Sequence, residues 1–242
     1  MPTQQILTGA LSHMKPFRNV AADVLLEAEK SCRWVRLKRN EMLFASGDRA
    51  DYVYFVLHGV VRCLYHSAAG RLVTLADIGA GEIVGELAVI DGLPRTVDVV
   101  SQMETTLAAM PAATFLEILR HDQVARGILQ ILSRRMRVMT DRLIEISTLE
   151  VGARVRTELL RIARRHPMRG KAVAFPAPRH ADLASHVSAN REAVTREMVK
   201  LMRAGLIEKQ QRNLIIRDLG YFRQSLSEIV ADLSNMSVDL FL

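Results

Sequence analysis

The sequence predicts an α+β protein: a roll or sandwich of short antiparallel strands, then a long helix, then a winged helix-turn-helix. Three observations carry that expectation. Residues 34–110 are short runs rich in Val, Leu, Tyr and Thr, divided by the turn signals SGD, HG, AAG and GAGE. Residues 121–150 hold a heptad seam, and residues 179–217 read as two short helices followed by a two-strand wing.

VAADVLLEAEK (20–30) has helical spacing and predicts a short first helix. The strand runs VRL, EMLF, DYVYFVLHGVVRCLYH, RLVTLADI, TVDVVS and TTLAAM follow. A short helix is expected over 111–120, with Pro111 in or near its first turn. In the long helix, Leu129, Leu132, Met136, Met139, Leu143 and Ile146 step by 3, 4, 3, 4, 3. That stripe either packs on the sandwich or pairs two copies of the chain, and its narrowness favours a dimer. Another helix is expected over 151–166, with HPMRGK as a connector and a hinge near 150–153, where Gly152 would interrupt the helix.

In 179–217, Leu183, Ala184 and Val187 suit a short helix, and Ser188 takes the turn position where a Gly is usual, at a strain of roughly 1 kcal/mol. Asn190 is an N-cap for the second helix, whose Ala193, Val194, Met198, Val199, Leu201 and Met202 should face inward and which Gly205 should end. LIEK and NLIIR form the wing around QQR.

The 242 residues, 49% hydrophobic and 24% charged, allow one large domain or two small ones. The segments are expected at 1–120, 121–150, 151–217 and an extension at 218–242, where SLSEIVADL has helical spacing. No run suits a membrane span and no export signal is visible, so a cytoplasmic protein with no membrane partner is expected. Two cysteines and scattered histidines suggest no metal, and no P-loop or nucleophile–base constellation suggests an enzyme. The net charge is +7, yet residues 151–217 hold 15 Lys/Arg against 5 Asp/Glu, a net +10, leaving −3 elsewhere. A basic module of that kind points to double-stranded DNA.

On the second helix of that module Arg191, Glu192 and Arg196 lie off the apolar side. Arg can read guanine O6/N7 and Glu can accept from cytosine N4. Asn190, Thr195, Lys200 and Arg203 are available at the same face, the last three for phosphates. The plainer reading is a solvated face with a Glu192–Arg196 pair. Likewise Glu86 and Arg95 could be a surface pair beside a turn, or could flank a ligand with hydroxyls and a negative charge.

Two motifs, GELAVIDGLPRT (85–96) and NREAVTR (190–196), are similar to those of the Crp/Fnr family of bacterial transcription regulators, in its cyclic-nucleotide-binding branch. The resemblance covers residues 20–217. It implies a cyclic-nucleotide-binding β-roll, a dimerisation helix and a winged-helix DNA-binding domain. It also implies that Glu86 accepts from a ribose 2′-hydroxyl and that Arg95 pairs with the cyclic phosphate of cAMP or cGMP. Gly85 and Leu87 would border that phosphate, Thr96 would lie near the phosphate or base, and Met139 and Thr140 would meet the purine. A homodimer would then bind a near-palindromic, TGTGA-like operator, with RNA polymerase as a further partner. The alternatives are a regulator that is constitutive or takes another ligand, and a regulatory subunit that acts through protein contacts.

Overall fold

The structure is a computed structural model describing residues 9–17, 20–67, 70 and 72–227. It divides into two compact units, Met1–Arg135 and Met136–Leu242, and the division falls within one long helix.

In the first unit, α1 (Ala22–Lys30) turns Leu25 and Ala28 inward. Eight strands follow: β1 (Arg33–Leu37), β2 (Met42–Phe44), β3 (Tyr52–His58), β4 (Val60–His66), β5 (Leu72–Gly79), β6 (Ile83–Val84), β7 (Asp98–Ser101) and β8 (Thr105–Pro111). They build two antiparallel sheets, β1-β8-β3-β6 and β2-β7-β4-β5. The HG signal is therefore not a hairpin but a corner between sheets. Gly59 has φ 89°, and a Cβ there would sit 2.4 Å from Thr105 Oγ1, so only glycine fits.

Strand periodicity sorts the side chains of β3. Val53 and Phe55 join Phe17, Leu25, Met110 and Phe115 beneath the helices. Val56 and Tyr54 instead face the layer between the sheets, with Phe44, Val61, Ile78, Val99 and Leu107. Between β6 and β7 lies α2 (Glu86–Asp91), entered through Gly85 at φ 82° and left through Gly92 at φ 71°. After β8 comes α3 (Ala112–Ile118), shorter than the expected 111–120, with Pro111 as its N-cap.

The long helix is α4 (Asp122–Thr148). In the first unit Val124 and Ile128 are buried in the core, and Ile131 and Leu132 pack against it partly buried. Of the heptad residues, Leu132 is half-buried, while Leu129, Met136, Met139, Leu143 and Ile146 are all exposed. Apart from Leu132, the heptad stripe is thus exposed.

In the second unit α5 (Val151–Ala163) begins directly after a break at Leu149 and Glu150. Gly152 does not interrupt it. It lies in the first turn of α5, where a Cβ would come within 2.9 Å of Glu197 Oε2, so its role is close packing. HPMRGK is more than a connector. Its β9 (Met168–Arg169) pairs with β10 (Ala172–Pro176), and β10 pairs with the wing. Then come α6 (His180–His186), α7 (Arg191–Arg203), and the wing strands β11 (Ile207–Gln210) and β12 (Asn213–Ile216). The sheet order is β11-β12-β10-β9. The residue ending α7 is Ala204, with Gly205 next at φ 69°. The extension contributes α8 (Leu219–Ser227), which packs back through Leu219 and Phe222 on a core with Val155, Leu159, Phe175 and Val194. SLSEIVADL runs past Ser227 and lies largely outside the described residues.

Candidate functional site

The cassette of the first unit is built by a strand, a left-handed turn and a one-and-a-half-turn helix. Gly85 turns the chain so that Glu86 points inward while Leu87 stays exposed. The Glu86 carboxylate is buried, and its Oε1 accepts from Arg135 Nη1 of α4 at 2.6 Å. The other guanidinium nitrogen, Arg135 Nη2, donates to the Ile83 carbonyl. Sequence reasoning missed Arg135; as one of several arginines in the helix it carries no local signal.

Arg95 is placed by its backbone. Its N–H donates to Asp48 O at 2.9 Å and its carbonyl accepts from Gly47 N–H at 2.8 Å, so the SGD turn holds it. The side chain is buried, with Nη1 on the Gly85 carbonyl and Nη2 on the Tyr52 carbonyl. Its guanidinium carbon lies 4.3 Å from the Phe44 ring centre and 5.9 Å from that of Tyr54. Among the described residues no carboxylate lies within ion-pair distance of it. Burial pulls Arg95 below the usual guanidinium value, opposed by Tyr54 and Glu86; burial also raises the Tyr54 phenol. A desolvated cation held by carbonyl dipoles and ring faces alone is an anion-binding arrangement.

Two of the Arg95 nitrogens, Nη1 and Nη2, are thus engaged by carbonyls. Arg95 Nε and Glu86 Oε2 are both buried with no hydrogen-bond partner among the described residues. One is a donor and the other an acceptor. Gly85 is also required for space, since a Cβ would sit 2.6 Å from Arg95 Nη1. Thr96 is exposed at the end of the cassette. Met139 and Thr140 are exposed on α4 in the second unit. Nearby, Arg62 of β4 and Asp77 of β5 are cross-strand partners joined by two hydrogen bonds of 2.6 and 3.0 Å. Burial pushes the Cys63 thiol up to about 12, so it stays protonated and inert at neutral pH.

The second unit presents a helix-turn-helix. Asn190 Oδ1 accepts from Ala193 N–H at 2.8 Å, which satisfies one free donor of α7 and starts the helix there. The turn before it holds Ser188 at φ 51°. Arg154 of α5 supports that strained residue, donating to the Val187 carbonyl at 2.6 Å. Val194, Met198 and Leu201 are buried as expected, whereas Met202 is partly exposed. Glu197, unforeseen from the sequence, is buried because Arg156 Nε and Nη2 both reach its Oε1 at 3.1 Å.

Arg191, Glu192, Arg196 and Lys200 are all exposed. Thr195, Arg196, Val199, Lys200 and Arg203 line one open groove along α7. Thr195 is engaged already: its hydroxyl lies 2.9 Å from the Arg191 carbonyl and 2.8 Å from His180 Nδ1. The exposed start of α7 thus carries basic and polar side chains beside an open groove.

Among the described residues no group of three His, Cys, Asp or Glu side chains is placed to hold a metal ion, and no helix is long and apolar enough to cross a membrane.

Two family models match the chain. The cyclic nucleotide-binding domain matches residues 34–122 and the Crp-like helix-turn-helix domain matches residues 153–234. A CRP-like cAMP-activated global transcriptional regulator of Mycobacterium tuberculosis is 25% identical over 84% of this chain and 92% of that protein. The cyclic AMP receptor protein of Thermus thermophilus is 29% identical over 73% of this chain and 80% of that protein. Among solved structures, the c-di-GMP-responsive global regulator CLP of Xanthomonas campestris aligns with a TM-score of 0.73 at 21% identity. That alignment covers 81% of this chain and 99% of that one, and bears on the fold alone. Lysophospholipase nte1 of Aspergillus fumigatus matches at 26% identity over 54% of this chain but only 9% of its own length, through the cyclic-nucleotide-binding part.

Proposed function

This chain belongs to the Crp/Fnr family of transcription regulators, and from that premise we propose that it is gated by a cyclic nucleotide, cAMP or cGMP, held by its first unit. The observation that carries this reading is the pair of unsatisfied atoms, Glu86 Oε2 and Arg95 Nε. A buried donor or acceptor left unpaired costs about 1–3 kcal/mol. A cyclic nucleotide brings a hydroxyl for the carboxylate and an anionic phosphate for the guanidinium, and so removes both penalties. Thr96 borders the end of that cassette.

Two copies pair through the exposed heptad stripe of α4, and the dimer reads a near-palindromic, TGTGA-like site through Arg191, Glu192 and Arg196. Asn190, Thr195 and Lys200 complete that contact. Half-sites then lie about one helical turn apart. RNA polymerase is the further partner and the cytoplasm the compartment. The effector acts by binding one state of the dimer more tightly than the other.

A second reading has an observation of its own. Glu86 already has Arg135 and Arg95 already has two carbonyls, which suits a regulator that takes a different ligand or none. Calorimetric titration with cAMP, cGMP and a cyclic dinucleotide, followed by operator binding with each, separates the two. The proposal expects one mononucleotide to bind and to raise operator affinity by roughly 5–150-fold; a gain below about twofold rejects gating. A regulatory subunit acting through protein contacts would lack the steep salt dependence of duplex binding.

A further inference from the structure

The hydrogen bond between α6 and α7 defines a titrating atom. Thr195 Oγ1 lies 2.9 Å from the Arg191 carbonyl and 2.8 Å from His180 Nδ1. A hydroxyl has one hydrogen. The carbonyl can only accept, so that hydrogen is spent on Arg191 O, and Oγ1 must accept from the imidazole. Nδ1 of His180 therefore carries the ring proton, and Nε2 is the atom left to gain or lose one.

The charges acting on this ring are of one sign. Burial holds His180 below the usual histidine value, and Arg191, which opens α7, and Lys209 on β11 add to it. The other helix packed on α6 is α5, whose Arg154 is turned to the Val187 carbonyl. On α6 itself, His186 Nδ1 is bonded to the Asp182 carbonyl at 2.8 Å, and the Asp182 carboxylate is not among the groups that shift His180. The ring of His180 is thus bonded to Thr195 beside the start of α7, where Arg191 and Lys209 act on it with the same sign.

We propose that His180 takes up a proton at Nε2 when the second unit binds DNA, so that the charged imidazole joins Arg191 and Lys209 in holding a backbone phosphate. The proton comes from solvent and no other bond changes. The inference rests on the DNA-binding reading of this unit. A phosphate set against Arg191 and Lys209 offsets the repulsion those two cations add to the effect of burial, and supplies an acceptor for the new N–H. Binding then strengthens as pH falls through the bound-state value of His180 and levels off below its free-state value. Each unit by which DNA raises that value makes the total gain about tenfold per subunit.

The test is binding of the full-length protein to a labelled mixed-sequence duplex from about pH 5.5 to about 8.5 at constant ionic strength, across the range in which histidine titrates. Wild type should show the acid-side gain, His186→Gln should keep it, and His180→Gln should lose it while binding at the alkaline end within about threefold of wild type. His180→Arg should bind tightly at every pH. Superimposable profiles for wild type and His180→Gln overturn the inference. A second measurement needs no variant: NMR titration of the His180 ring in the wild-type protein should give a higher value with duplex than without, and an equal value overturns the inference. If wild type shows no salt-dependent duplex binding at any pH, it is the DNA-binding reading that has failed.

Discussion

Glu86 and Arg95 are both buried, nine positions apart in the chain, and make no ion pair with each other. The carboxylate turns to Arg135, the guanidinium to the carbonyls of Gly85 and Tyr52, and each side chain keeps one buried polar atom unpaired. The separation that makes the motif look like a surface pair is thus a separation across a cassette.

Arg95 has a structural and a binding role, and substitution should expose both. Arg95→Leu leaves two carbonyls without a donor, so stability should fall by about 1–3 kcal/mol, and cyclic-nucleotide binding should vanish. Gly85→Ala places a Cβ 2.6 Å from Arg95 Nη1 at a residue with φ 82°, and should weaken binding with Arg95 itself intact. Denaturant unfolding and calorimetry measure the two effects; undiminished binding by Arg95→Leu would exclude the guanidinium as the phosphate partner.

Ser188 occupies a left-handed position that glycine adopts without cost. Ser188→Gly should stabilise the second unit by up to about 1 kcal/mol. Arg154→Ala should act in the opposite sense, by about 1.5–3 kcal/mol, because it removes a charged donor from the Val187 carbonyl. The midpoint of that unit's unfolding transition reads both changes.

Met136 and Leu143 are 71% and 65% exposed, an unusual state for apolar side chains in register on one helix. Met136→Glu and Leu143→Glu should each convert a dimer to a monomer in sedimentation while changing the stability of the monomer's own fold by less than about 0.5 kcal/mol. Unchanged sedimentation would rule out the stripe as the dimer contact.

Asp98 sets an acid-side limit on the first unit. The Ser46 N–H, at 2.8 Å, holds its carboxyl below the usual range against the opposing effect of burial, with His66 assisting. A value lowered by folding gives stability that is present above the unfolded carboxylate value of about 4 and lost as pH falls through the folded one. Asp98→Ala should make acid unfolding of that unit less steep below about pH 4, which a pH series of thermal melts measures.

Elements with a local signature were legible in the chain. Asn190 caps α7, the VAADVLLEAEK stretch holds α1, and QQR turns the wing, because each depends on neighbours a few residues away. β9 was not legible: two residues of HPMRGK become a strand only because β10 is already paired to the wing. Gly152 misled for the same reason, since Glu197, its packing partner, is 45 positions along the chain.

Within the cassette, residue types and spacing singled out Glu86 and Arg95, and the family resemblance added Gly85. Periodicity also picked out the α4 stripe, while leaving open whether it packs on the sandwich or pairs two copies. Folding decided what those groups touch: Arg135 on Glu86, Phe44 and Tyr54 about Arg95, His180 on Thr195. Each of those contacts joins residues from different elements. Their distances follow from sheet register and helix packing summed over the whole unit, which no local pattern of residues encodes.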